Sequence, residues 1–257
     1  MAITFKSGWV KDSVDERDYL FKAKIPVRTV VKASVDLRPT CPPVIDQGDL
    51  GSCTACATTV MVQYVRKLEK FQNIQLSPLF TYYSSRLLEG TVNQDAGASV
   101  RDALISTVKY GVVPELFWRY DIKNFKTKPP SGVWTEALKH QTLQYLRLNN
   151  SSVNDILVCL SQGFPFTFGL MVYESFLSGT TARTGLVPLP NTRREKLAGG
   201  HCMVGVGYEG TGSNMMLIVQ NSWSTKWGNK GFCKIPMSYI TDVNLCFDLW
   251  TIRTTES

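Results

Sequence analysis

The sequence predicts an α+β protein of two lobes, the first mainly helical and the second mainly β-sheet. Apolar residues after position 53 recur every three or four positions, which is the period of a helix with one buried face. Further helix starts carry N-cap signals at Ser77, Ser99 and Ser152. After Gly163 the pattern changes to short strand-like runs. Because helices precede strands, we expect two packed lobes with a ligand cleft between them.

The individual elements follow in chain order. The central helix begins at Cys53, and a second helix is expected from Pro78 to about Leu88. A third helix opens at Ser99 and is closed by Gly111. Short strands are expected at 164–168, 203–208, 216–220 and 232–235. The segment 178–199 is expected to be a long loop, either shaping one side of the cleft or forming an ordinary mobile insertion.

Composition narrows the classes of partner. The chain has 257 residues, of which 44% are hydrophobic, and this suffices for one compact unit or two small lobes. Its net charge is +7, but the basic residues are scattered, whereas a nucleic-acid surface would cluster them on one face. No apolar run approaches the length that crosses a bilayer. We therefore expect no nucleic-acid partner and no membrane partner. The oligomeric state stays open from the sequence, with a monomer as the favoured interpretation.

Cysteine usage indicates the redox compartment. The chain has seven cysteines, an odd number, and most lie among apolar residues. The first eleven residues lack the apolar core of a signal peptide. Free thiols of this kind predict synthesis in a reducing, cytoplasmic compartment.

The stretch 47–57 carries the clearest chemical signal. A glycine-rich turn leads directly into the central helix, with Cys53 at the join. A helix N-terminus favours the thiolate, which is the nucleophilic form of cysteine. Such a nucleophile needs a base and an orienting group. His201, after two glycines, and Asn221, before Ser222-Trp223, supply these two residue types on separate strand-like runs. From the stretch alone, a buried cysteine capping a core helix is an equally good interpretation.

Taken in order, these motifs resemble the papain family of cysteine peptidases. The matching runs are Gly51-Ser52-Cys53, Gly200-His201 and Asn221-Ser222-Trp223, and Val35-Asp36-Leu37-Arg38 looks like the start of a mature domain. His201 follows Cys53 at the family's spacing of about 130–150 residues, and Asn221 lies beyond it, so an extra loop is expected. Thr54 replaces an aromatic residue, which resembles a xylellain-like, bacterial and viral branch. The resemblance covers residues 35 to 252.

The resemblance implies a role for each motif. Cys53 would be the nucleophile, His201 the proton-transfer group and Asn221 the residue that orients the imidazole. Gln47 would bind the oxyanion together with the backbone N–H of Cys53. The implied substrate-binding positions are Gly97, Ala98, Ser99, Gly200 and Trp223, with small residues at 98 and 99 suggesting a roomy pocket. The partner is then a peptide or protein substrate, and neither a metal ion nor an organic cofactor is implied.

The first 34 residues are predicted to be a propeptide-like segment that makes the enzyme a latent zymogen. The peptidase domain would be 35–257, with a helical lobe at roughly 48–130 and a sheet lobe at roughly 131–257. Large apolar residues, expected to dock the segment along the cleft, are Trp9, Tyr19, Leu20 and Phe21. Carboxylates expected to pair with the basic domain, so that acid would loosen the segment, are Asp12, Asp15, Glu16 and Asp18. A loosely ordered terminus is the alternative.

Two other functions fit parts of the sequence. Cys53 and Cys56 form a Cys-x-x-Cys pair, which serves thiol redox exchange or metal binding in other proteins. A zinc site would need further ligands, and the chain has only two histidines. A thioredoxin-like protein would place a βαβ pattern before the motif. The third interpretation is an inactive, peptide-binding domain of papain-like fold.

Overall fold

The structure, a computed structural model, describes residues 5–21 and 30–256. The helices are α1 (Cys53–Leu68), α2 (Pro78–Glu89), α3 (Val100–Lys109), α4 (Ser131–Ala137), α5 (Val153–Ser161), α6 (Gly179–Thr184) and α7 (Met237–Ile240). The strands are β1 (Trp9–Val10), β2 (Val35–Asp36), β3 (Ala98–Ser99), β4 (Thr142–Arg147), β5 (Phe166–Tyr173), β6 (Leu197–Glu209), β7 (Met216–Gln220), β8 (Phe232–Pro236) and β9 (Cys246–Thr255). Within these ranges no helix combines the length and the apolar character needed to cross a bilayer.

Local side-chain caps start the helices at the expected places. The Ser77 side chain accepts from the backbone N–H of Phe80 at the start of α2. Ser99 caps α3 and Ser152 caps α5 in the same way. Each cap satisfies a donor that has no partner inside the helix, so these starts are fixed by a few neighbouring residues.

Helix α1 is the centre of the helical lobe. Every residue from Cys53 to Arg66 is buried. One side of the helix packs against α2 and α3, and another packs against β6 and β9 of the sheet. Since the helix is enclosed on several sides, the position of its first residue is fixed relative to the sheet.

The second lobe is a mainly antiparallel sheet in the order β4-β9-β5-β6-β7-β8, with β2 added to β6. The register of β5 on β6 places Leu170 opposite His201. One apolar cluster lies within this lobe, and a second joins Tyr64 and Val65 of α1 to Val206 and Trp250 of the sheet. The expected α+β, two-lobe architecture is confirmed.

The expectation of a long loop at 178–199 is wrong for its first part. Helix α6 begins there, because the Ser178 side chain accepts from Thr181 N and Gly185 ends the helix with a φ of 70°. The last part is also regular, because β6 already starts at Leu197. Only the stretch between these elements is loop.

Two glycines that end helices provide a matched test of the fold. Both need a positive φ, 72° at Gly90 and 75° at Gly111. A Cβ at Gly90 would meet nothing within 4 Å, whereas one at Gly111 would lie 1.8 Å from Ala137 O. Gly90→Ala should therefore lower the free energy of unfolding by about 1–2 kcal/mol from backbone strain alone. Gly111→Ala should cost several-fold more, measured by chemical denaturation. Equal losses would contradict the described packing of Gly111.

Candidate active site

Cys53 is the first residue of α1 and its side chain is fully buried. Burial raises the pKa of its thiol to about 11, and hydrogen bonds from the backbone of Cys202 and Gly8 and from Thr54 oppose that shift. The thiol is therefore protonated at neutral pH in the described state. The helix N-terminus does not outweigh the loss of water around the sulfur.

His201 and Asn221 are brought together by neighbouring strands. His201 lies on β6, and Asn221 follows directly after β7, which pairs with β6. The Nε2–H of His201 donates to Asn221 Oδ1 at 2.7 Å. The other ring nitrogen, Nδ1, is buried and has no hydrogen-bond partner among residues 5–21 and 30–256. Burial lowers the pKa of His201 to about 4, although the Asn221 bond acts in the opposite direction. The ring is therefore neutral, with Nδ1 available to accept a proton.

An aromatic shell surrounds the His201 ring. Trp223 stacks on it with ring centroids 4.7 Å apart and an interplanar angle of 26°. Phe5, from the N-terminal segment, meets His201 edge-on at 5.9 Å and Trp223 at 5.7 Å. This shell excludes water from the imidazole, which accounts for its lowered pKa.

Gln47 lies in the turn before Cys53 and is held by hydrogen bonds to Ser222 and Leu50. It is 1% exposed, and its backbone N–H donates to Ser222 O at 2.9 Å. Its side-chain Oε1 accepts from Ser222 Oγ at 2.6 Å, and its Nε2 donates to Leu50 O at 3.0 Å. Because an amide nitrogen carries two hydrogens, one remains for another acceptor.

Cys56 lies one turn into α1 and is also fully buried. Burial raises the pKa of its thiol to about 12, and its nearest polar partner is Ser52 Oγ at 3.7 Å. Both Cys53 and Cys56 are free thiols, as are the other five cysteines, all of which lie in described residues.

The glycine-containing shelf at 97–99 is occupied by the N-terminal segment. Strand β1 pairs in parallel with β3, setting Trp9 opposite Ala98. Ala98 N donates to Gly8 O at 2.9 Å, and Thr54 Oγ1 donates to Ala98 O at 3.0 Å, which ties the shelf to α1. The Thr54 hydroxyl therefore has a structural role, holding the shelf against α1.

Gly8 lies between two glycines of the cleft. A Cβ at position 8 would lie 2.2 Å from Gly51 O, and a Cβ at Gly97 would lie 2.3 Å from Gly8 O. The next contact is at Gly200, whose backbone exchanges two hydrogen bonds with Ser7 Oγ at 3.0 and 3.1 Å. The segment therefore crosses the cleft directly beside Cys53.

Two of the four expected apolar anchors are buried. Trp9 is 8% exposed and Phe21 is 2% exposed, whereas Tyr19 and Leu20 are 67% and 55% exposed. The expectation was therefore wrong for Tyr19 and Leu20. Phe5 was missed, although an aromatic residue near the terminus was the available signal. The part of the segment from 22 to 29 lies outside the described residues.

The segment's carboxylates divide into two groups. Asp18 forms ion pairs with Arg101 at 2.7 Å and with Arg147. Asp12 accepts from Trp250 Nε1 at 2.9 Å, and its backbone N–H donates to Asp248 Oδ2 at 2.9 Å. Asp15 instead pairs with Arg17 within the segment, and Glu16 is exposed.

A buried thiol begins the helix that packs on the sheet, and the sheet carries a histidine held by an asparagine. This combination is typical of proteins that use cysteine as a nucleophile. The chain belongs to the papain family of cysteine proteases, whose family model matches residues 31–246. It is a cysteine-type peptidase that acts on peptide or protein substrates. The thiol-redox and inactive-domain interpretations are not favoured.

Three relatives place the chain within the family. An uncharacterised peptidase C1-like protein of Acanthamoeba polyphaga mimivirus is 34% identical over 270 residues, covering 96% of this chain and 86% of that protein. The crystal structure of xylellain, a cysteine protease from Xylella fastidiosa, superposes with a TM-score of 0.88 at 32% identity over 96% of each chain. Mouse procathepsin L is 27% identical, and this chain spans 62% of its length. The papain-like fold and the similarity to the xylellain branch are confirmed.

Proposed function

We propose that Cys53, His201 and Asn221 carry out peptide-bond hydrolysis and that the N-terminal segment keeps the full chain latent. The observation that carries the proposal is the hydrogen bond of 2.7 Å between His201 and Asn221, together with the bond from the backbone of Cys202, the next residue, to the buried Cys53 thiol. It leaves His201 Nδ1 as the unpaired nitrogen of the ring.

The reaction begins when His201 Nδ1 takes the proton of the Cys53 thiol. The thiolate adds to the substrate carbonyl carbon, and the resulting oxyanion accepts from the backbone N–H of Cys53 and from the Gln47 amide. The carbon–nitrogen bond then breaks as the imidazolium gives its proton to the leaving amine. Water, deprotonated by His201, hydrolyses the thioester and restores the thiol. Asn221 fixes the plane of the ring throughout.

Substrate direction follows from the position of the proton donor. Because the leaving amine must reach His201, the amine side of a substrate lies near Trp223, and the acyl side pairs with the shelf at 97–99. The N-terminal segment runs the opposite way, from Phe5 at Trp223 to Trp9 at Ala98. It therefore presents the backbone N–H of Gly8 to the thiol, which offers no carbonyl carbon for attack.

Latency in this proposal has an electrostatic cause besides steric exclusion. The docked segment removes water from Cys53 and His201, so both remain neutral. Releasing the segment rehydrates them, and the thiolate–imidazolium pair becomes available.

The two cysteines of the helix give opposite predictions for the competing functions. An epoxysuccinyl peptide inhibitor should label Cys53, and Cys53→Ala should abolish both labelling and peptide hydrolysis. Cys56→Ser, the matched control in the same helix, should retain most activity, since Cys56 lies one turn inside the helix, where its thiol faces Ser52 Oγ at 3.7 Å. Mass spectrometry of the labelled peptides shows which of the two cysteines carries the inhibitor and so decides between the competing functions. A Cys53→Ala protein that still cleaves peptides would refute the assignment.

Removing the base should cost more than removing its orienting residue. His201→Ala should lower kcat by at least about a thousandfold, because no group remains to move the proton. Asn221→Ala should lower it by about ten- to a hundredfold, since the ring can still reach the thiol. Steady-state kinetics on one peptide substrate, normalised by titration of reactive thiol, measures both. Equal and small effects would identify a purely structural pair.

The latency proposal is tested within the full-length protein. Trp9→Ala removes a buried anchor and should raise the initial rate on a small peptide substrate at least about tenfold, because the lost burial weakens docking by about 2–4 kcal/mol. Val14→Ala is the control, since Val14 lies on the same segment and is 95% exposed. Equal rates for wild type and both variants would show that residues 1–34 do not inhibit.

The buried acid pair sets the pH dependence of docking. Docking buries Asp248 against Asp12, which raises the pKa of Asp248 to about 6 and raises that of Asp12 as well. Arg147, Arg101, Trp9 and Trp250 surround the pair. A carboxyl whose pKa is raised in the docked state binds a proton on docking, so docking strengthens as pH falls through about 6. This direction is opposite to the sequence-based expectation that acid loosens the segment.

We therefore expect latency to be greater in mild acid than at pH 8. The measure is the activity ratio of Gly8→Val, whose side chain cannot fit beside Gly51, to wild type at each pH. One proton with a docked pKa of about 6 strengthens docking about tenfold between pH 8 and pH 5. In an Asp248→Asn background the ratio should lose most of that dependence. A ratio that falls in acid would contradict the buried-pair account.

A further inference from the structure

The indole of Trp9 fills a slot in the sheet lobe that the catalytic steps do not explain. Its floor is formed by Gly169 of β5 and Gly200 of β6, and Phe247 stacks on the ring at 5.9 Å with an interplanar angle of 20°. Asp248 closes the slot, where its Oδ2 accepts from Trp9 Nε1 at 3.2 Å. The slot therefore offers a flat apolar surface for a ring and, at one end, a carboxylate that accepts a hydrogen bond.

The floor requires glycine at both positions. A Cβ at Gly169 would lie 2.0 Å from Trp9 Cε2, and a Cβ at Gly200 would lie 2.4 Å from Trp9 Cε3. Any side chain at either position would therefore occupy the space of the ring. The slot exists because two adjacent strands both lack side chains where the indole lies.

The closed end of the slot requires an N–H donor. Asp248 is 3% exposed, and its Oδ2 accepts from both Trp9 Nε1 and Asp12 N. Both donors belong to the N-terminal segment and leave with it. A ligand that covers this carboxylate again without an N–H donor leaves it cut off from water and unpaired, which is costly, so a ligand that supplies an N–H at this point is favoured.

Charge distinguishes among possible donors. The segment also removes Asp12 and Asp18, and Asp18 is the ion-pair partner of Arg101 and Arg147. Arg147 remains 3.4 Å from Asp248 Oδ1. The vacated slot then retains the Asp248 carboxylate with Arg147 beside it and Arg101 over the Trp250 ring, which disfavours a cationic lysine or arginine side chain. A neutral donor on a flat ring meets both requirements.

We infer that this slot selects tryptophan in the substrate, at the second residue on the acyl side of the scissile bond, with Asp248 as the specificity-determining residue. The position follows from Gly8, which faces the Cys53 thiol while Trp9, the next residue, enters the slot. The inference rests on the proposed function, because it assigns the acyl side of a substrate to the shelf at 97–99.

The test uses the full chain carrying Gly8→Val and Trp9→Ala, which frees the slot of its own indole. Peptides that differ only at the second acyl-side residue carry tryptophan, phenylalanine, leucine or arginine. The kcat/KM for tryptophan should exceed that for phenylalanine by at least about tenfold, since phenylalanine leaves the carboxylate without a donor. Calorimetric binding of the same peptides to a version that also carries Cys53→Ala should give the same order without any hydrolysis.

Variants of Asp248 test its role directly. Asp248 has a φ of 55°, a conformation that glycine and asparagine adopt readily, so Asp248→Gly and Asp248→Asn both preserve the backbone. The tryptophan-to-phenylalanine binding ratio should fall to about two or less in Asp248→Gly and to an intermediate value in Asp248→Asn. Asp121→Gly, an exposed carboxylate remote from the slot, should leave the ratio unchanged.

The outcomes separate this inference from the proposed function. If calorimetry shows a preference for tryptophan but the otherwise identical protein that retains Cys53 hydrolyses none of the peptides, the catalytic assignment is wrong and the slot assignment stands. Hydrolysis with equal binding of tryptophan and phenylalanine, tighter binding of arginine, or an unchanged ratio in Asp248→Gly would overturn the slot assignment.

Discussion

The burial of helix α1 is the constraint on which the site depends. Because the helix is enclosed by α2, α3 and the sheet, its first residue, Cys53, is fixed against β6. The same sheet carries His201 and, directly after the next strand, Asn221. Catalytic geometry in this fold thus comes from packing between two lobes, and the polar contacts within the cleft act on positions that the core has already set.

Burial also explains how Cys53 and His201 can be kept in an unreactive state. Removing water raises the pKa of a thiol and lowers that of an imidazole, so both groups move toward their neutral forms. The docked segment supplies that dehydration through Phe5 on Trp223 and through Gly8 between Gly51 and Gly97. In the proposed latent state no covalent block is needed, and inhibition is as strong as the docking of the segment.

Sequence patterns predicted the elements whose causes are local. The caps at Ser77, Ser99 and Ser152 act over three residues, and the motif around Cys53 is continuous in the chain. The contact between Trp9 and Asp248 could not be predicted, because it joins residues 239 positions apart and depends on two glycines on separate strands. Our proposal that acid strengthens docking differs from the sequence-based expectation for a related reason, since only the fold shows that Asp12 meets another carboxylate as well as arginines.

The central claim is that the docked segment holds the Cys53 thiol in its protonated form. The most direct measurement is the pH dependence of Cys53 alkylation by iodoacetamide, followed by mass spectrometry, in wild type and in Gly8→Val. Wild type should show negligible reaction at pH 7, consistent with a thiol pKa of about 11, whereas Gly8→Val should react rapidly at neutral pH and lose that reactivity in a His201→Ala background. Equal rates for wild type and Gly8→Val at neutral pH would contradict the account.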